Sequence, residues 1–226
     1  IQTNQKETIL NAISGVGDFS KLKADLIIEA AVENLEIKQK IFSNLEKINT
    51  ENCILTTNTS SIPITQIASL LKFQHRFAGL HFFNPAPIMK LVEVVNGVGT
   101  SPATTALLMA FARSLGKQPV PAQDSPGFIV NRVARHFYVE GLKIAEENVA
   151  DFKSIDALMR SAGFKMGPFE LMDLIGVDVN FSVTSSMFKA FHQDPKFRPS
   201  RIQQQKVDAG HHGRKSGKGF YDYPKE

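Results

Sequence analysis

The stretch DLIIEAAVENLEIKQKIFSNLEKINTENCILTT, residues 25–57, decides the architecture of this 226-residue chain. Its two ends, DLIIEAA (25–31) and CILTT (53–57), are short apolar runs, the profile of strands buried on both faces of a parallel sheet. Between them Leu35, Ile41, Phe42, Leu45 and Ile48 recur at helical spacing, while Glu36, Lys38 and Lys40 fall off that face. Strand, helix and strand in this order form a crossover unit, so a parallel sheet covered by helices is expected.

The same rhythm continues downstream. NTSSIP (58–63) turns the chain into a shorter helix ending near Leu71. RFAGLHF and LVEVV are strands flanking NPAPIMK, whose two prolines exclude regular structure. Residues 103–115 form an amphipathic helix closed by Gly116, and KQPVPA is a proline-limited edge strand. Near Asp124 the character changes. Ser125-Pro126 is a helix-start signal, and one long helix is expected from Gly127 to about Glu147. Helical segments follow at 154–162, 168–175, 179–191 and 199–209. The expected fold is an α/β part, residues 1–123, followed by an all-α domain, residues 124–226.

The composition is that of an ordinary globular chain, with 42% hydrophobic and 21% charged residues. No apolar run reaches the roughly 18 residues of a spanning helix, and IQTNQKETIL lacks the basic and apolar regions of a signal peptide. Neither a membrane nor a secretory destination is therefore expected, and a cytoplasmic one is. The single cysteine, Cys53, excludes an internal disulfide and sits in an apolar strand, where it is expected as a core residue. The net charge of +4 is dispersed. Its densest stretch, HHGRKSGKG, has no interleaved aromatics, which argues against nucleic-acid binding.

Two glycine clusters fail as phosphate loops. SGVGDFS has Ser20 where a third glycine belongs, and no strand precedes it. GRKSGKGF has one residue too few between Gly213 and Gly217, and Lys218 is not followed by Ser or Thr. If the chain binds a dinucleotide, its glycine loop is expected before Ile1.

Four polar residues stand where the chain leaves regular structure, as reactive groups do in α/β proteins. Ser60 follows the CILTT strand, His81 ends GLH, Glu93 lies in LVEVV, and Asn131 belongs to the start of the long helix. Each also has a plainer reading. His81 fits a core position beside aromatics, Glu93 the outward position of an alternating strand, Ser60 a turn, and Asn131 a polar helix residue. The twelve-residue spacing of His81 and Glu93 permits a returning chain to pair them but does not require it. The adjacent His211 and His212 have no third ligand spaced nearby, so no metal site is expected.

Six strings in order, IIEAAVENLEIK, TTNTSSIPI, RFAGLHFFNPAPIMKLVEVV, DSPGFIVNRV, MGPFELMDLIGVD and GRKSGKGFYDY, resemble the 3-hydroxyacyl-CoA dehydrogenase family across nearly the whole chain. They are most similar to its bacterial 3-hydroxybutyryl-CoA and 3-hydroxyadipyl-CoA branch, the latter from phenylacetate breakdown. The resemblance implies a Rossmann-type NAD domain lacking its N-terminal glycine-loop segment, then a helical substrate-binding and dimerisation domain. It also implies NAD as cofactor, a (3S)-3-hydroxyacyl-CoA as substrate and a homodimer. By the same resemblance His81 is the catalytic histidine, Glu93 orients it, and Ser60 and Asn131 hold the reacting group. Glu33, Lys38, Ser60, Asn84 and Lys215 are then expected to contact the cofactor. A dicarboxylic substrate would call for a cation deep in the pocket, for which Lys189 and Arg198 are candidates.

These residue types suit the chemistry. Oxidising a 3-hydroxyl sends a hydride to the cofactor and a proton to a base, and histidine, with an ordinary pKa of about 6.5, can take that proton and return it. A carboxylate on the far ring nitrogen fixes the tautomer and stabilises the imidazolium. Two other readings stay open: a non-catalytic scaffold on the same fold, and a helical dimerisation module that binds NAD poorly because no glycine loop presents a helix N-terminus to the pyrophosphate.

Overall fold

The computed structural model describes residues 3–224, and the chain divides into two compact units, Ile1–Pro121 and Ala122–Glu226. The first unit opens with helix α1 (Thr3–Asn11). Strands β1 (Leu26–Glu29) and β2 (Ile54–Thr57) then flank helix α2 (Leu35–Ile48). Helix α3 (Ile64–Ala68), strands β3 (Phe77–Phe82) and β4 (Leu91–Asn96), helix α4 (Pro102–Ser114) and strand β5 (Gln118–Gln123) follow. The sheet order is β1-β2-β3-β4-β5. β1, β2 and β3 run parallel, but β4 is antiparallel to β3, so the sheet is mixed where alternation alone implied a parallel one. A connection as short as NPAPIMK cannot make the crossover that a parallel pair needs.

Side chains alternate across the sheet. Ile54, Ala78, Leu80, Val92 and Val94 pack with Leu108 and Ala112 of α4 on one face. On the other face Phe42 of α2 meets Phe77 edge-on at 4.7 Å. Gly79 lies on this second face, and its lack of a side chain lets α3 approach closely. A Cβ there would stand 2.8 Å from Ile64 Cδ1 and 2.9 Å from Val95 Cβ. Cys53 is buried, as expected of a core cysteine.

Lys38 departs from the sequence reading. It is 1% exposed, not on the outer surface of α2. Its ammonium lies 2.7 and 2.9 Å from the two carboxylate oxygens of Glu29, at the end of β1. A long polar side chain at a core-facing helical position is stable only with such a partner.

The second unit contains α5 (Val130–Glu146), α6 (Phe152–Ser161), α7 (Pro168–Ile175), α8 (Val177–Ala190) and α9 (Arg201–Asp208). Tyr138, Leu142, Ile155, Phe169, Met172, Val177 and Phe220 form its core. The long helix starts three residues later than Ser125-Pro126 suggested. Gly127 (φ 74°) and Phe128 (φ 47°) are left-handed, which a helix cannot continue through. A Cβ on Gly127 would stand 2.7 Å from Met187 Cε, so the turn is packed down on α8.

The GRKSGKGF string is a structural strap, not a nucleotide loop. Asp173 of α7, 1% exposed, accepts hydrogen bonds from the backbone N–H of Phe220 (2.9 Å) and Tyr221 (3.0 Å) and from the Tyr223 hydroxyl (3.0 Å). Burial and that carboxylate push the Tyr223 phenol up to about 12. Gly219 presses so closely on Asp173 that a Cβ would lie 2.0 Å from Oδ1. Gly219→Ala is therefore expected to cost about 1–3 kcal/mol through overpacking, read as a lower denaturant midpoint at unchanged m. An unchanged midpoint would show that the tail is not clamped this way.

Candidate active site

The carboxyl ends of β1, β2 and β3 lie at one edge of the sheet, because the three strands are parallel and in register. Residues at this edge line the crevice in which open α/β sheets take ligands. The antiparallel return of β4 adds the decisive pair. His81 and Glu93 are directly opposed in the ladder, so both point to the same face, the one on which Gly79 meets α3. His81 Nδ1 and Glu93 Oε2 are 2.8 Å apart. Glu93 is 1% exposed and His81 6%. The outward position suggested by alternation fails because β4 is an inner strand, with both faces covered. The Phe83 ring lies against the imidazole, centroids 4.6 Å apart.

The loop after β2 is tied down from two sides. Asn58 donates its N–H to the Glu29 carbonyl (2.8 Å) and accepts the Phe82 N–H on its side-chain oxygen (2.8 Å), joining the ends of β1, β2 and β3. Ser60, half-buried, follows two residues later. Its backbone N–H donates to Glu33 Oε1 at 3.1 Å. The same oxygen accepts from Ser61 N–H (3.1 Å), Ser61 Oγ (2.9 Å) and the Thr59 hydroxyl. Burial raises the Glu33 carboxyl, but the Thr59 and Ser61 hydroxyls and the Lys38 ammonium more than offset it, leaving Glu33 below the ordinary carboxylate range.

His81, Glu93, Ser60, Glu33 and Asn84 thus belong to one sheet edge and its loops. Asn84 is exposed at the head of the loop that carries the cis Asn84-Pro85 bond, and Lys117 donates to the Ala86 and Met89 carbonyls of that loop. Glu33, Ser60 and Asn84 therefore suit a ligand such as a dinucleotide lying over the strand ends. Lys38 does not, since its ammonium is buried on Glu29. Asn131 is the second residue of α5, half-buried, in the other unit. Lys215, also in that unit, is ion-paired with Asp178 at 2.7 Å. Lys189 and Arg198 are both exposed there.

Sequence reasoning missed Glu29, Asn58 and Arg135. A carboxylate closing an otherwise apolar strand was the available signal for Glu29. Arg135, 3% exposed, has neutral partners: Asn180 O and Oδ1 (both 3.1 Å) and Thr184 Oγ1 (2.8 Å). Burial pushes its guanidinium down to about 10. Nothing in the sequence sets it apart from the exposed Arg132 one turn earlier. Among the described residues, no group of three or more His, Cys, Asp or Glu is placed to hold a metal ion, and no helix is long and apolar enough to cross a membrane.

Comparison with known proteins agrees with this geometry. Residues 1–125 match the model of the 3-hydroxyacyl-CoA dehydrogenase NAD binding domain, and residues 127–223 that of the 3-hydroxyacyl-CoA dehydrogenase C-terminal domain. The 3-hydroxyadipyl-CoA dehydrogenase of Escherichia coli (strain K12) is 52% identical over 222 residues, covering 97% of this chain and 47% of that protein. The mitochondrial hydroxyacyl-coenzyme A dehydrogenase of Sus scrofa is 42% identical over 220 residues, 96% of this chain and 70% of its own. The solved structure of 3-hydroxybutyryl-CoA dehydrogenase from Escherichia coli K12 superimposes with a TM-score of 0.97 at 51% identity, over 100% of this chain and 48% of that one. The chain thus spans about half the length of the first of these relatives. By both family matches and by these identities, the chain belongs to the 3-hydroxyacyl-CoA dehydrogenase family.

Proposed function

We propose that the protein oxidises (3S)-3-hydroxyacyl-CoA thioesters to 3-oxoacyl-CoA with NAD, His81 acting as base in that direction and as acid in the reverse. The observation that carries this is the buried His81–Glu93 pair, 2.8 Å apart across the β3–β4 ladder. With Nδ1–H donated to the Glu93 carboxylate, the opposite ring nitrogen, Nε2, takes the hydroxyl proton. Glu93 holds the ring in that tautomer and stabilises the imidazolium as it forms. Ser60 and Asn131 are assigned to hydrogen-bond the reacting oxygen, a role in which a neutral group positions without competing for the proton. When bound, NAD supplies the hydride acceptor. Glu33, Ser60 and Asn84 at the sheet edge, with Lys215, are the residues that would hold it.

The same reading includes a homodimer through residues 122–226, whose helices expose Val133, Leu158, Ile175 and Val179, and a cytoplasmic setting. Acyl preference is open to a direct comparison. NADH formation by the full-length protein is expected from both (3S)-3-hydroxybutyryl-CoA and (3S)-3-hydroxyadipyl-CoA. No NADH from either, with folded protein and excess NAD, would refute the assignment.

A further inference from the structure

We infer that Glu33 is a positioning residue, whose carboxylate sets the place of Ser60 by gathering the loop after β2 around a single oxygen. The inference rests on the role given to Ser60 above. Resemblance assigned Glu33 to the cofactor, but its bonds in this structure point inward. Oε1 accepts from the Thr59 hydroxyl, the Ser60 and Ser61 N–H groups and the Ser61 hydroxyl. Four donors from three consecutive residues converge on it, so Ser60 cannot shift without breaking several bonds together. The other oxygen, Oε2, lies 3.4 Å from Lys38 Nζ.

Lys38 is itself immobilised. It is 1% exposed and bound to both oxygens of Glu29. Glu29 in turn accepts the Thr57 hydroxyl at 2.7 Å, at the end of the strand that leads into the same loop. A chain of charge-assisted bonds therefore runs from the β1 and β2 ends through Lys38 and Glu33 to Ser60. Such bonds are shorter and stronger than neutral ones. The lowered pKa of Glu33 keeps its carboxylate charged through neutral pH. The loop contacts weaken only as pH falls through that lowered value.

The test uses the full-length protein with Ser60→Ala, Glu33→Ala, Glu33→Gln and the Glu33→Ala/Ser60→Ala double variant. Glu33→Ala is expected to lower kcat by roughly tenfold to a hundredfold, the scale of a small misplacement of a reacting group. The dissociation constant for NADH, read by fluorescence titration, should stay near wild type. Glu33→Gln keeps an oxygen for the loop and should fall between wild type and Glu33→Ala. The double variant should lose little beyond Ser60→Ala alone, because Glu33 acts through Ser60. Amide exchange at Ser60 and Ser61 should quicken in Glu33→Ala. Weaker NADH binding at unchanged kcat would overturn the inference in favour of direct cofactor contact. Additive losses in the double variant would overturn it in favour of independent action. Full kcat in Ser60→Ala would remove the role of Ser60 and this inference with it, whereas a damaged Ser60→Ala beside an undamaged Glu33→Ala overturns the inference alone.

Discussion

Replacing His81 with glutamine is expected to lower kcat of the full-length protein by roughly 10²–10⁴, the usual contribution of a positioned general acid–base group. KM for the thioester should change little. Glutamine can still hydrogen-bond near the carbinol oxygen, so binding survives while proton transfer does not. Glu93→Gln is the informative companion. It preserves size and leaves the ladder intact, but an amide cannot stabilise an imidazolium and can present its N–H to Nδ1, favouring the wrong tautomer. Its loss in kcat should approach that of His81→Gln, and the double variant should lose little more than either single one, since the two act as a unit. Near wild-type kcat in either single variant would sink the pair as the catalytic centre. Circular dichroism should show that both variants fold.

The second large effect is on stability. Lys38→Ala is expected to destabilise the protein by about 3–5 kcal/mol, because it leaves the Glu29 carboxylate buried without its cation. Glu29 is 6% exposed and Lys38 1%, so water cannot take the missing partner's place cheaply. Pairing the change with Glu29→Gln should recover part of the loss, since a neutral amide needs no cation. Had Lys38 been an open cofactor contact, as resemblance implied, its removal would cost under about 0.5 kcal/mol, as surface changes do. Urea midpoints at constant m separate the two.

Much of the fold was legible because its signals are local. Apolar runs such as Ile54–Thr57 cannot serve as anything but buried strands at that length, and Pro168 and Gly176 bracket α7 where start and stop residues belong. What escaped depended on partners distant in sequence. Lys38 follows the helical pattern of an outward residue, and its burial comes from Glu29, on a different element. Glu93 has the alternation of a surface residue, and its burial comes from the place of β4 inside the sheet. The start of α5 was misplaced because proline initiates turns and helices alike, and the left-handed Gly127-Phe128 step is set by packing on Met187. For the candidate site, spacing allowed the His81–Glu93 encounter, family strings suggested it, and the antiparallel register fixes it.

That register also divides the hairpin into a conserved frame and a free margin. The pair is held by the ladder from Gly79↔Val95 to Phe82↔Val92, and a slip of one residue would turn Glu93 to the opposite face. The connection between the strands carries no such constraint. Its outer residues, Ile88 at 74% exposure and Met89 at 40%, stand clear of the ladder. Variation, whether by natural drift or by library design, can therefore be concentrated at these two positions to vary what the rim of the site meets, while the proton-transfer geometry is inherited unchanged from the strands.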